Sequence, residues 1–174
     1  GAPLVPAFHA MVFGHPARAR AILNLGGIGN LTLLPATDGP QTVQVRGFDC
    51  GPGNALLDHW VSVHQRQPFD ADGRWAAGGI VKAALLAHML DEPFLRAAPP
   101  KSTGRDLFNP DWLAAKLAEH SGMAAQDVQS TLAEFTATTA AQALLRHGAE
   151  VGEVLVCGGG ALNRDLMRRL AAQL

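Results

Sequence analysis

Residues 21–34, AILNLGGIGNLTLL, set two short apolar runs on either side of the turn Gly26-Gly27-Ile28-Gly29. Apolar runs of this length bounded by glycine read as strands, so the stretch is a β-hairpin with a glycine tip. Outward from it, residues 42–46 (TVQVR) alternate apolar and polar side chains, which predicts a third, half-buried strand. That strand is expected to end at the glycine-rich run of residues 47–53 (GFDCGPG). A helix should follow, with Leu57, Trp60, Val61 and His64 on one face and Pro52 in its first turn.

Further along, an Ala/Leu-rich helix is expected near residues 78–90, stopping at Glu92-Pro93. Residues 98–110 (APPKSTGRDLFNP) carry too much Pro and Gly for a regular element and read as an ordered loop or linker. A short helix around residues 112–119 precedes the longest one, residues 127–147, where Val128, Leu132, Phe135 and Thr139 recur at helical spacing. Asp127 would cap its start and Gly148 its end. A short buried strand at residues 153–157 (EVLVC) then turns through Gly158-Gly159-Gly160 into a last helix from Leu162 to about Leu174. Strands, then helices, then strand–glycine–helix describe an α/β or α+β layered domain.

With 174 residues, 48% of them apolar and 17% charged, the chain has an ordinary globular composition. Net charge is −1 with both signs dispersed, which gives no electrostatic reason to expect nucleic acid or a membrane surface as partner. Cys50 and Cys157 lie far apart and outside any C-x-x-C, so neither a disulfide framework nor a zinc site is expected and a reducing cytoplasm fits. His59 and His64 are five residues apart and do not share a helix face as metal ligands would, so no metal is assigned to histidine or cysteine. The chain begins at Gly1 in mid-phrase and ends in an amphipathic helix, and both ends read as cut.

Four constellations carry chemistry. At residues 24–30 (NLGGIGN), a hairpin tip without side chains lets backbone amides approach an anion; the alternative is a tight turn that binds nothing. At residues 48–54 (FDCGPGN), Asp49 stands at a strand end just before a glycine turn and a helix N-terminus, placed to accept a proton; the alternative is a turn or capping carboxylate. Cys50 beside it reads as a small buried apolar residue rather than a nucleophile. At residues 156–163 (VCGGGALN), a strand–glycine–helix turn suits a nucleotide, although as a dinucleotide fingerprint it is incomplete. At residues 99–106 (PPKSTGRD), two cations and two hydroxyls could grip phosphate or sugar; a solvated loop is the simpler reading.

Taken together and in this order, GAPLVPAFH, ILNLGGIGNLTLL, GFDCGPGNALLDHW, PPKSTGRDLF and VCGGGALN resemble the anhydro-N-acetylmuramic acid kinases, bacterial enzymes of cell-wall recycling. The resemblance runs from Gly1 to about Asn163. It implies an α/β fold, an actin-like, ribonuclease-H-like ATPase lobe with a mixed sheet flanked by helices. Residues 1–174 would be the second lobe, with the first lobe's phosphate loop and the extreme C-terminus not among them. It also implies Asp49 as catalytic aspartate and a nucleotide site of Asn24, Gly26, Gly27, Gly51, Gly53, Asn54, Gly158, Gly159, Gly160 and Asn163. ATP and Mg²⁺ would be the cofactors, and the intact enzyme a cytoplasmic homodimer. His9 and Arg105 are candidates for the sugar from their polarity in distinctive segments. Two departures are the Gly at position 29, where Ala is usual, and Cys50, where Thr is usual. Another actin-like sugar kinase or a non-catalytic nucleotide-binding lobe are the alternatives. Without an opposing lobe, residues 1–174 alone are expected to lack kinase activity and to bind ATP weakly.

Overall fold

Two strands, β1 (Arg20–Leu25) and β2 (Gly29–Leu34), pair antiparallel with Asn24 opposite Asn30 and Leu25 opposite Gly29. They are the hairpin read from residues 21–34. The computed structural model describes residues 11–37 and 44–174. A third strand, β3 (Arg46–Gly51), continues the antiparallel order beside β2, and β4 (Glu153–Cys157) adds parallel to β1. The sheet is therefore mixed, in the order β3-β2-β1-β4.

The third strand departs from expectation. Gln44 and Val45 lie outside any strand, residues 42 and 43 lie outside the described residues, and the ladder takes up the glycine-rich run instead. Packing overrides composition here. Phe48 and Cys50 alternate into the core, while Gly51 permits the approach of a helix: a Cβ there would stand 2.4 Å from Thr139 Oγ1. A register irregularity between Gly29 and Asn30 accommodates the last pairings.

The helices after β3 are α1 (Ala55–Gln65), α2 (Arg74–Ala77), α3 (Ala83–Leu90), α4 (Pro93–Arg96), α5 (Pro110–Ala118), α6 (Ala125–His147) and α7 (Arg164–Ala171). The expected 78–90 helix begins only at Ala83, because Gly78 and Gly79 press against α6, where a Cβ on Gly79 would come 2.3 Å from the Gln126 carbonyl. Pro52 lies ahead of α1 rather than in its first turn. Asp127 does not cap α6, whose N-cap is Ala124; its carboxylate instead accepts from the Ile80 amide at 2.8 Å and pairs with Lys82 at 2.7 Å. Gly148 does end α6, its amide donating to the Leu144 carbonyl. β4 is half-buried rather than buried, as the last strand of the sheet among the described residues.

Helix α6 joins two cores. Its C-terminal half presents Ala137, Ala140, Ala141 and Leu144 to Leu23, Leu25, Leu31, Phe48 and Cys50 of the sheet. Its N-terminal half packs Leu132 and Phe135 against Leu57 of α1, Leu85 and Met89 of α3, and Leu113 of α5. The alanines let helix and sheet come close, while Phe135 stacks on Trp112 with ring centroids 5.8 Å apart. A buried charge network ties α7 on: Arg169 donates to Asp165 (2.6 Å), to Glu134 of α6 (2.8 Å) and to Ser130 Oγ (2.9 Å). Removing one member of a buried ionic network leaves the others uncompensated. Arg169→Met in the full-length protein is expected to cost about 3 kcal/mol in urea unfolding. A cost below about 1 kcal/mol would mean that the network is solvated in solution.

Candidate functional site

The glycine segments singled out in the sequence meet at one end of the sheet. The tip of the β1–β2 hairpin lies directly on the segment before α1, with the Asn54 amide donating to the Gly26 carbonyl (2.8 Å) and the Ala55 amide to the Gly27 carbonyl (3.0 Å). Asn54 Nδ2 adds a third bond, to the Leu25 carbonyl at 2.9 Å. This backbone-to-backbone contact has no room for a side chain. A Cβ on Gly53, whose φ is +55°, would stand 2.4 Å from the Gly26 carbonyl oxygen and 2.9 Å from the Gly29 amide nitrogen. Thr136 of α6 holds the same residue from behind by donating to the Gly53 carbonyl at 2.8 Å.

The strand–glycine–helix turn after β4 closes on this contact from the other side. At Gly158, with φ +82°, an added Cβ would stand 2.4 Å from Asn24 Oδ1, and a Cβ on Gly160 would meet Leu25 Cβ at 2.6 Å. Gly159 faces Asn54 Nδ2. The expected final helix is delayed: residues 159–162 form a 3₁₀ turn, and Asn163 caps α7 by accepting from the Leu166 amide at 2.9 Å. Asn24, Gly26, Gly27, Gly51, Gly53, Asn54, Gly158, Gly159, Gly160 and Asn163 are thus brought together around the β1–β2 tip and the ends of β3 and β4. The N-terminal donors of α1, read from the sequence as open to an anion, are in part engaged by the hairpin carbonyls.

Asp49 is half-buried in β3 beside the hairpin. Asn30 Nδ2 donates to Oδ1 at 2.9 Å; Ser102 Oγ and the Thr103 amide donate to Oδ2 at 2.9 and 2.8 Å. The Asp49 amide in turn donates to the Lys101 carbonyl (3.1 Å), so the 101–103 loop is laced along β3. Each carboxylate oxygen can take about two donors, so Oδ2 is filled and Oδ1 keeps one acceptor site. The capping alternative is not realised: the carboxylate is held by hairpin and loop and not by the start of α1.

The residues of the 99–106 loop divide their roles. Lys101 donates to the carbonyls of Phe94 and Leu95 at 3.0 and 3.1 Å and lies over the Phe94 ring, which closes the end of α4. Arg105 lies over the hairpin tip, its Nη2 3.4 Å from where a Cβ of Gly27 would be. His9 lies outside the described residues. Cys50 is buried at 2% exposure, and burial beside Asp49 pushes its thiol up to about 12, so it is no nucleophile. Its sulfur sits 3.1 Å from where a Cβ on Gly29 would be, so the two positions are neighbours. Among the described residues no group of three or more His, Cys, Asp or Glu side chains could hold a metal ion. No described helix is long and apolar enough to cross a membrane.

Asn30, Ser102 and Thr103 join the site only in three dimensions, although all three stand in the quoted segments. The sequence signal for Asn30 is its symmetry with Asn24 about the tip. A cavity of about 240 Å³, with no signal in the sequence, lies between α1, residues 69–72 and the 159–163 turn.

Among known proteins, the family model for anhydro-N-acetylmuramic acid kinase matches residues 1–174. A protein of that name from Variovorax paradoxus (strain S110) is 58% identical over 174 residues, which are 100% of this chain and 46% of the relative. One from Burkholderia pseudomallei (strain 1710b) is 56% identical over 180 residues, again 46% of the relative, and one from Albidiferax ferrireducens is 53% identical over 189 residues, 49% of the relative. The chain spans about half the length of these curated relatives. Among solved structures, the activator of the 2-hydroxyisocaproyl-CoA dehydratase from Clostridium difficile with bound ADPNP is similar at a TM-score of 0.55 and 16% identity, covering 98% of this chain and 56% of that one. The fold is α/β, a mixed sheet flanked by helices, and is similar to that of this activator.

Because Gly53 combines a left-handed backbone with contact to two carbonyls, Gly53→Ala should move the hairpin tip. The expected loss is about 1–3 kcal/mol in urea unfolding of the full-length protein, with hydrogen-exchange protection of residues 26–29 falling first. Unchanged protection there would show that the tip does not rest on Gly53.

Proposed function

This chain belongs to the anhydro-N-acetylmuramic acid kinase family, and from that premise we propose that it is the second lobe of an ATP-dependent kinase acting on anhydro-N-acetylmuramic acid. The supporting observation is the triple clamp on Asp49, which holds its carboxylate beside the glycine hairpin with one acceptor site left on Oδ1.

The substrate's O6 is already an ether oxygen of the 1,6-anhydro bridge and has no proton to give. A base is therefore needed for water. Water oxygen bonds to the anomeric carbon while the bond from that carbon to the bridging oxygen breaks. The bridging oxygen takes the γ-phosphoryl group of ATP, ADP leaves, and Asp49 takes the water proton. The product is N-acetylmuramic acid 6-phosphate, consistent with a place in cell-wall recycling. Asn30, Ser102 and Thr103 fix the direction of the carboxylate, which is what a general base requires. Arg105 and the amides of the Gly26–Gly27 tip stand where phosphoryl charge would be met.

Mg²⁺ would enter on the nucleotide, since the described residues offer no all-protein cage and this ion is commonly held by one or two carboxylates plus substrate phosphates. When bound it would neutralise phosphate charge. The 240 Å³ cavity beside Gly159 and Asn163 is the place for adenosine. The intact enzyme is proposed to be a cytoplasmic homodimer.

Asp49→Asn in the full-length enzyme is expected to lower kcat by about 10²–10⁴, measured with anhydro-N-acetylmuramic acid and ATP. A variant that keeps its rate removes the base from the mechanism. The open-chain sugar serves as control: its phosphorylation at an equal rate would point to another sugar kinase of the same fold.

A further inference from the structure

The cavity beside the 159–163 turn holds a carboxylate that matches a chemistry the phosphate and base readings leave unassigned. Phe69 and Leu162, 60% and 79% exposed, both line the cavity. Large apolar side chains this open to solvent beside a pocket are suited to a flat heterocycle. Asn54, also in the lining, donates its backbone amide to the Gly26 carbonyl of the hairpin tip, over which Arg105 lies.

Asp58 is part of the same lining. It sits one helical turn after Asn54 on the same face of α1, and both residues line the cavity. It is also close enough to Arg105 to feel its charge: burial raises the Asp58 carboxyl above its ordinary value, and Arg105 opposes the rise. Among the described residues no hydrogen bond or ion pair engages this carboxylate, whereas the two other acids of the cavity are committed. Asp70 accepts from the amides of Trp75 and Ala76 at 3.0 and 2.9 Å, and Asp72 pairs with Arg74 at 2.9 Å. A half-buried carboxylate without a donor is costly unless a ligand supplies one.

Along a nucleotide, the part between phosphates and base is the ribose, and its vicinal hydroxyls are two donors set close together. We infer that the Asp58 carboxylate accepts the ribose hydroxyls of the bound nucleotide and so selects ribonucleotides over deoxyribonucleotides. The inference rests on the kinase reading above and deepens it. A buried acceptor loses its partner when the substrate lacks a hydroxyl, and that asymmetry discriminates better than added apolar contact.

The test compares KM for ATP, 2′-deoxyATP and 3′-deoxyATP in the full-length enzyme and in Asp58→Asn. The native enzyme is expected to show a KM about tenfold higher for at least one deoxynucleotide. In Asp58→Asn the ratio should fall toward one, because KM for ATP rises and KM for the deoxynucleotide hardly changes. Equal KM values for all three nucleotides in the native enzyme overturn the inference without reference to any variant. So does a variant that retains the native ratio, or that loses affinity equally for every nucleotide, as a purely structural change would. Absence of any ATP-dependent phosphorylation by the native enzyme would instead overturn the kinase reading, and this inference with it.

Discussion

Three stretches of backbone meet at the open end of the sheet with almost no side chains between them, and the rest of the site is arranged around that contact. The carbonyls of Gly26 and Gly27 accept from the amides of Asn54 and Ala55, while Gly158 and Gly160 lie against Asn24 and Leu25. Backbone can approach this closely only where a Cβ is missing, since at Gly53, Gly158 and Gly160 an added methyl would fall within 2.6 Å of a neighbouring atom. The contact brings the start of α1, the end of β3 and the turn after β4 together at one end of the sheet.

Support for this end comes from the long helix behind it. Thr136 holds the Gly53 carbonyl, and Thr139 occupies the space that a side chain on Gly51 would fill. The same helix packs small residues on the sheet and large ones on α1, α3 and α5, so the glycine junction is backed by both cores. A site carried on packed elements in this way is held more narrowly than one on free loops. The exception is the 101–103 segment, a loop by composition, which is drawn into order by donating to Asp49 and by anchoring Lys101 at the end of α4.

Electrostatics divide the site into parts. The carboxylate of Asp49 is surrounded by donors, while that of Asp58 has none among the described residues and faces Arg105 and a cavity. The first arrangement fixes a direction, and the second leaves an acceptor open to a ligand. Arg105 lies over the hairpin tip at Gly27 and acts on Asp58 through its charge.

The hairpin of residues 21–34, the long helix and the strand before Gly158 were legible in the sequence, because glycine placement and apolar periodicity are local signals. The family was legible too, through the order of its glycine segments. Only tertiary structure decided the rest. Arg46–Gly51 is a strand because Phe48 and Cys50 find the core and Thr139 fits against Gly51, a non-local gain that outweighs three poor strand formers. Asp127 left its expected cap for Ile80 and Lys82, and Asn30, Ser102 and Thr103 converged on Asp49 from segments up to 54 residues away in the chain. Such pairings depend on which surfaces meet after the chain has folded, and no spacing along the sequence encodes them.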